Sequence, residues 1–158
     1  MRHDPGKWSE EAKRSAIGEP QRTALRADNF HAAKAAQPSF AGRSILVVED
    51  EYMLAQELGN ELTRVGGFAV GPVPSVEEAL GLIETKALDG AILDVNLGDE
   101  KAYPIADRLR QRSVPFIFAT GYEAGAIPAA YDNVPRVMKP VDMSLLAGLL
   151  FNQPTAAL

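Results

Sequence analysis

Four places in the sequence hold side chains suited to binding a cation and an anion together: the acidic run Glu49-Asp50-Glu51, then Asp94, Thr120 and Lys139. Each stands at the end of a short apolar run, respectively Ile45-Leu46-Val47-Val48, Gly90-Ala91-Ile92-Leu93, Pro115-Phe116-Ile117-Phe118-Ala119 and the stretch from Val134 to Met138. Carboxylates brought together repel, and such a cluster is tolerated when a hard divalent cation sits among them. Magnesium fits best, because it takes oxygen ligands, retains waters and phosphate oxygens, and needs no histidine. A lysine and a hydroxyl aimed at the same point supply donors for an anion bridged to that metal. A phosphoryl group is the anion that suits.

The rest of the composition narrows the chemistry further. There is no cysteine, which removes disulfides, thiolate nucleophiles and cysteine-ligated metals, and both histidines, His3 and His31, lie near the N-terminus. Histidine-dependent triads and H-E-x-x-H zinc sites are therefore excluded from the remainder. Residues 1–41 hold seven Lys/Arg and five Asp/Glu, and residues 42–158 hold nine and sixteen, so the first part is +2 and the body −7. An acidic body argues against nucleic acid as a partner, since that needs clustered Lys/Arg. No apolar run approaches the roughly 18 residues that span a bilayer and no secretory h-region opens the chain, so no membrane association is expected and the cytoplasm is the expected location.

The elements that must position these groups follow from periodicity. Ser44 to Val48 is β-branched, too short for a helix, and reads as a buried strand. Leu54, Ala55, Leu58, Leu62 and Val65 recur at helical spacing up to Gly66-Gly67, which ends the helix. Phe68 to Val73 is a second strand, and Ser75-x-x-Glu78 is a capping box for a helix with Val76, Ala79, Leu80 and Ile83 inward. Gly90 to Leu93 is the third strand. Ala102, Ile105, Ala106 and Leu109 carry the next helix, with Arg110 and Arg112 on its solvated face. Pro115 to Ala119 is the fourth strand, Val134 to Met138 the fifth, and Met143 to Phe151 the last helix. Between Tyr122 and Asn133, Gly125 and Pro128 leave little room, so the helix there is expected to be short or absent. Alternating strands and helices with near-continuous apolar strands specify an α/β fold, a five-stranded parallel sheet with helices on both faces. In such sheets ligands bind beyond the carboxyl ends of the strands, where all four groups lie.

Residues 1–41 show no sustained period and read as a mobile N-terminal extension; Leu25, Phe30 and the alanines from Thr23 to Ala36 could make a short helix that docks a partner, but a tail that stays disordered is the favoured reading. The domain is then expected over residues 42–152, with a C-terminal tail at 153–158.

Over about residues 43–152 the chain resembles a response-regulator receiver domain, the phospho-acceptor module of two-component signalling. The matching segments are Ile45-Leu46-Val47-Val48-Glu49-Asp50-Glu51, Ala91-Ile92-Leu93-Asp94-Val95-Asn96-Leu97, Phe118-Ala119-Thr120-Gly121-Tyr122 and Met138-Lys139-Pro140. The resemblance implies the flavodoxin-like doubly wound receiver fold. It implies phosphorylation of Asp94 and Mg2+ held by Asp50 directly, by Glu49 through water, by Asp94 and by the backbone carbonyl of Asn96. Thr120 and Lys139 would each contact a phosphoryl oxygen. The donor would be a phosphohistidine of a sensor histidine kinase or histidine phosphotransfer protein. Hydrolysis would reset the signal, with Asn96 and Tyr122 placed to affect the access of water. The Phe-Ala-Thr-Gly-Tyr string also resembles the alphaproteobacterial single-domain receivers nicknamed FAT GUY. In agreement, the residue three before the lysine, usually a rotating aromatic, is Arg136, which leaves Tyr122 as a candidate switch.

Taken singly, these residues have ordinary structural uses: Asp94 as a turn cap, Lys139 as a surface lysine, Thr120 as a strand residue and Glu51 as an acid at a helix start. Together they favour a phosphorylatable single-domain regulator, not a classical enzyme, whose output runs through an unknown partner protein or a phosphate sink. One rival is a pseudo-receiver that binds without taking phosphate. The other is an aspartate-nucleophile phosphatase of the haloacid dehalogenase kind, which needs an aspartate where Asn96 stands and a cap domain for which there is no room.

Overall fold

The computed structural model describes residues 37–121 and 125–152. Tyr122, the Thr23 to Ala36 stretch and the tail from residue 153 lie outside the described residues.

The chain alternates strand and helix as its periodicity requires. Strand β1 is Ser44–Val48, helix α1 Tyr52–Arg64, β2 Phe68–Val73, α2 Val76–Thr85 and β3 Gly90–Asp94. A two-strand insertion follows, β4 Asn96–Leu97 and β5 Glu100–Lys101, then α3 Tyr103–Gln111, β6 Phe116–Thr120, a single 3-10 turn Ala129–Tyr131, β7 Arg136–Met138 and α4 Met143–Phe151. The helix starts are chemically marked: the Ser75 hydroxyl accepts from the Glu78 N–H at 3.3 Å, and Asp142 accepts from the Ser144 N–H at 2.8 Å. At the end of α1 the Gly67 N–H bonds the Leu62 carbonyl at 2.9 Å, with Gly66 at φ +84.

Five strands pair in parallel in the order β2-β1-β3-β6-β7, the doubly wound arrangement of a flavodoxin-like receiver fold. Alternate strand residues feed two separate cores, because successive side chains point to opposite faces. Leu46, Val48, Leu93 and Phe118 pack under α2 and α3 against Ile83, Ile105 and Leu109. Ile45, Val47, Ile92 and Ile117 pack under α1 and α4 against Leu62, Leu146 and Leu150. Both faces are covered, which is why the strands read as unbroken apolar runs.

Phe40 lies ahead of the boundary read from sequence, yet only 2% of it is exposed. Its ring meets Phe151 edge-on at 5.5 Å, and the Gly42 N–H bonds Gly66 O at 2.9 Å. The last residues assigned to the extension are thus part of the packed body; a lone aromatic ahead of a strand carries no period by which to place it.

The shortened segment before β7 is as expected: among its described residues the only helical turn is Ala129–Tyr131. Tyr131 of that turn is buried. It stacks on Tyr103 at 4.8 Å, meets Phe118 edge-on and donates to Asp107 at 2.8 Å. Arg110, read from sequence as solvated, lies over the Tyr131 ring at 4.9 Å and donates to the Ala130 carbonyl, while Arg112 pairs with Glu84 of α2. These contacts join residues distant in sequence, which a helical period does not register. The fifth strand begins at Arg136, later than Val134, because Pro135 has no N–H for the ladder.

Candidate functional site

Parallel register brings the strand ends to one edge. Val48 stands opposite Leu93, Asp94 opposite Ala119 and Thr120 opposite Met138, so the residues that follow β1 and β7 meet the ends of β3 and β6. A bulge between Leu46 and Val48 lets Val73 of β2 accept the Glu49 N–H at 3.0 Å. Gly71 makes that bulge; its φ is +92 and a Cβ there would lie 2.9 Å from Val73 N.

Carboxylate oxygens of Glu49, Asp50 and Asp94 lie within 4.8 Å of one another. The Lys139 ammonium donates to Asp94 Oδ2 at 2.9 Å and also bonds Glu49 Oε2. Glu49 Oε1 accepts the Glu51 N–H at 3.0 Å, Asp94 Oδ1 accepts the Asn96 N–H at 3.2 Å, and Asp50 Oδ2 accepts the Gly98 N–H at 2.9 Å. Thr120 is buried at the end of β6, and its carbonyl accepts the Lys139 N–H at 3.0 Å, tying the lysine to the hydroxyl-bearing residue. Glu51 is the exposed N-cap of α1 and takes no part through its side chain, in keeping with the helix-start reading.

The Lys139 ammonium bonds two of the three clustered acids, and the balance shows in the protonation equilibria. Burial pushes the Glu49 carboxyl above its ordinary value; the negative charge of Asp94 adds to this, and the hydrogen bonds from Lys139 and Glu51 only partly offset it. Burial disfavours the Lys139 ammonium too, but its bonds to Glu49 and Asp94 outweigh that and hold it above the ordinary lysine value. The cluster is short of positive charge, and its all-oxygen donor set suits a hard divalent cation. Beside it opens a groove walled by Leu54 and Leu58 of α1 and by Val141 and Met143, with Glu49 and Lys139 in its lining.

The sequence matches the response regulator receiver domain over residues 45–148. The chain belongs to that family. Among solved structures, the receiver is 39% identical to SdrG from Sphingomonas melonis Fr1, with a TM-score of 0.62, covering 68% of this chain and 92% of that one. The BeF3-activated conformation of SdrG is also 39% identical, with a TM-score of 0.58 over 69% of this chain and 98% of that one. Among curated proteins, the sensory transduction protein LytR of Staphylococcus haemolyticus is 29% identical over 102 residues, covering 62% of this chain and 40% of the relative. LytT of Bacillus subtilis is 30% identical over 102 residues, covering 62% and 42%. The receiver therefore spans about two fifths of the length of these curated relatives.

The structure brings Glu49, Asp50, Asp94, Thr120 and Lys139 to one edge, and the Asn96 N–H meets Asp94 there. The hairpin β4–β5 was not foreseen. Its signal was Gly98-Asp99 between Leu97 and Glu100, a two-residue turn whose first position has φ +63.

Proposed function

We propose that this receiver is the phospho-acceptor of a two-component pathway, with Asp94 as the residue that takes the phosphoryl group. The observation that carries the reading is the Lys139 ammonium shared between Asp94 and Glu49, with Asp50 in the same cluster. A carboxylate oxygen of Asp94 attacks phosphorus of a phosphohistidine, presented by a sensor histidine kinase or histidine phosphotransfer protein. The new P–O bond forms as the P–N bond breaks, and the electron pair and a proton end on the partner's imidazole. Lys139 moves part of its charge from Glu49 to the incoming phosphoryl oxygens, Thr120 donates its hydroxyl to another, and the fixed backbone keeps both aligned. Glu49, Asp50, Asp94 and the carbonyl of Asn96 would hold Mg2+, which supplies charge neutralisation for the approach of two anions.

The gain of roughly one to two negative charges at Asp94 is the signal. Tyr122, two residues beyond Thr120, is the proposed switch, and it takes that role because Arg136 is exposed and paired with Asp132 at 3.5 Å. The Phe-Ala-Thr-Gly-Tyr string and the likeness to SdrG support the FAT GUY subgroup and a single-domain regulator that works in the cytoplasm through protein contacts or as a phosphate sink. No role with nucleic acid or membrane is proposed; among the described residues no helix is long and apolar enough to cross a membrane. Incubation with acetyl phosphate and Mg2+ should add one phosphoryl group to the chain and none to Asp94→Asn. Equal labelling of the variant would remove Asp94 from the role, and no labelling of either would favour a binding module that takes no phosphate.

A further inference from the structure

The hairpin beside the site carries a cation that the phosphoryl-transfer reading does not use. β4 and β5 pair antiparallel with Asn96 directly opposite Lys101, and the Lys101 ammonium bonds Asn96 Oδ1 across the pair. The hairpin is itself pinned to the site, by the Asn96 N–H on Asp94 Oδ1 and by the Gly98 N–H on Asp50 Oδ2. At its far strand the Glu100 carboxylate accepts the Val76 N–H at 3.4 Å, and the Ala102 N–H bonds Val95 O at 3.0 Å. Asp94 at the end of β3 is thus followed, two residues on in β4, by a carboxamide whose oxygen is held by an ammonium.

A carboxamide on a rotatable stem shields a neighbouring reaction centre only as far as its rotamer is fixed. Here the backbone of Asn96 is fixed by Asp94 and its side-chain oxygen by Lys101. We propose that Lys101 is a positioning residue that, by holding Oδ1 of Asn96, keeps the carboxamide over the water approach to the phosphoryl group and so lengthens the life of the aspartyl phosphate. The inference rests on the reading of Asp94 as phospho-acceptor. In the step concerned, water oxygen bonds to phosphorus as the P–O bond to Asp94 breaks. The electron pair returns to the carboxylate, and inorganic phosphate leaves with the water's proton.

The test loads wild type, Lys101→Met, Lys101→Arg, Asn96→Ala and the Lys101→Met/Asn96→Ala double variant with acetyl phosphate and Mg2+. The donor is then removed and loss of the phosphoryl group is followed by mass spectrometry. Lys101→Met should lose it roughly three- to tenfold faster, the factor set by one hydrogen bond of ordinary net strength. Lys101→Arg should restore the wild-type rate, and Lys101→Met should add nothing in the Asn96→Ala background. A wild-type rate in Lys101→Met, or the same acceleration without Asn96, overturns the proposal. In the unphosphorylated protein the side-chain amide resonances of Asn96 should shift in Lys101→Met and stay in Lys101→Arg; unchanged resonances in Lys101→Met also overturn it. If wild type takes no phosphoryl group, the acceptor reading fails and the lifetime role with it. Shifted Asn96 resonances would then show that the positioning contact exists apart from that failure.

Discussion

The Lys139 ammonium lies 2.9 Å from Asp94 Oδ2 while it also bonds Glu49, so the proposed acceptor shares its counter-charge with a buried acid. The site is under-compensated without a metal, and that imbalance has measurable consequences. Asp94→Asn keeps an acceptor for Lys139 and removes one negative charge, so it should stabilise the Mg2+-free protein at neutral pH by about 1 kcal/mol in urea unfolding. Glu49 fixes the pH dependence. With its carboxyl raised above 4.5, the folded chain holds that proton more tightly than the unfolded one, and stability falls as pH rises through the raised value. The advantage of Asp94→Asn should therefore shrink as pH falls through that raised value, where Glu49 takes up its proton. A variant less stable than wild type at neutral pH would contradict this balance.

Tyr131, in the aromatic cluster with Tyr103 and Phe118, offers a second titration. Burial, with the hydrogen bond to Asp107 adding to it, pushes its phenol up to about 12. A raised value means that this residue's contribution to stability is complete below pH 10.0 and is lost as pH rises through about 12. Alkaline absorbance titration should show a tyrosine step at about 12, and Tyr131→Phe should abolish it. Loss of the bond to Asp107 should also cost about 1 kcal/mol.

Phe40 tests where the folded body begins. A side chain with 2% exposure, packed on Phe151, makes Phe40→Ala a cavity substitution that should cost about 3 kcal/mol in denaturant unfolding. A loss below about 0.5 kcal/mol, the usual range of surface changes, would place Phe40 outside the core.

Much of this was legible beforehand, for a physical reason. Strands such as Ile45 to Val48 and Phe116 to Thr120 are buried on both faces, so burial alone forces an unbroken apolar run, and parallel pairing then puts the residue after each run at one edge. Asp94, Thr120 and Lys139 could be located from that rule without knowing any contact. What stayed hidden depends on contacts between distant segments. The Lys139 bond to Glu49, the Tyr131 aromatic cluster and the seating of Phe40 have no period in the sequence. The hairpin at Asn96–Lys101 is too short for alternation to show, and its Gly98 has a local signal only once the turn is sought.

The central claim is that Asp94, Thr120 and Lys139 form one phosphoryl site, and beryllofluoride tests it most directly because it mimics the acyl phosphate when bound to an aspartate. Amide resonances of the wild-type protein should be recorded during titration with beryllofluoride in Mg2+, and again with Asp94→Asn. Saturable shifts at residues 94, 120 and 139 in wild type, absent from the variant, are the expected result. No shift in wild type with Mg2+ present, or the same shifts in Asp94→Asn, would contradict the account.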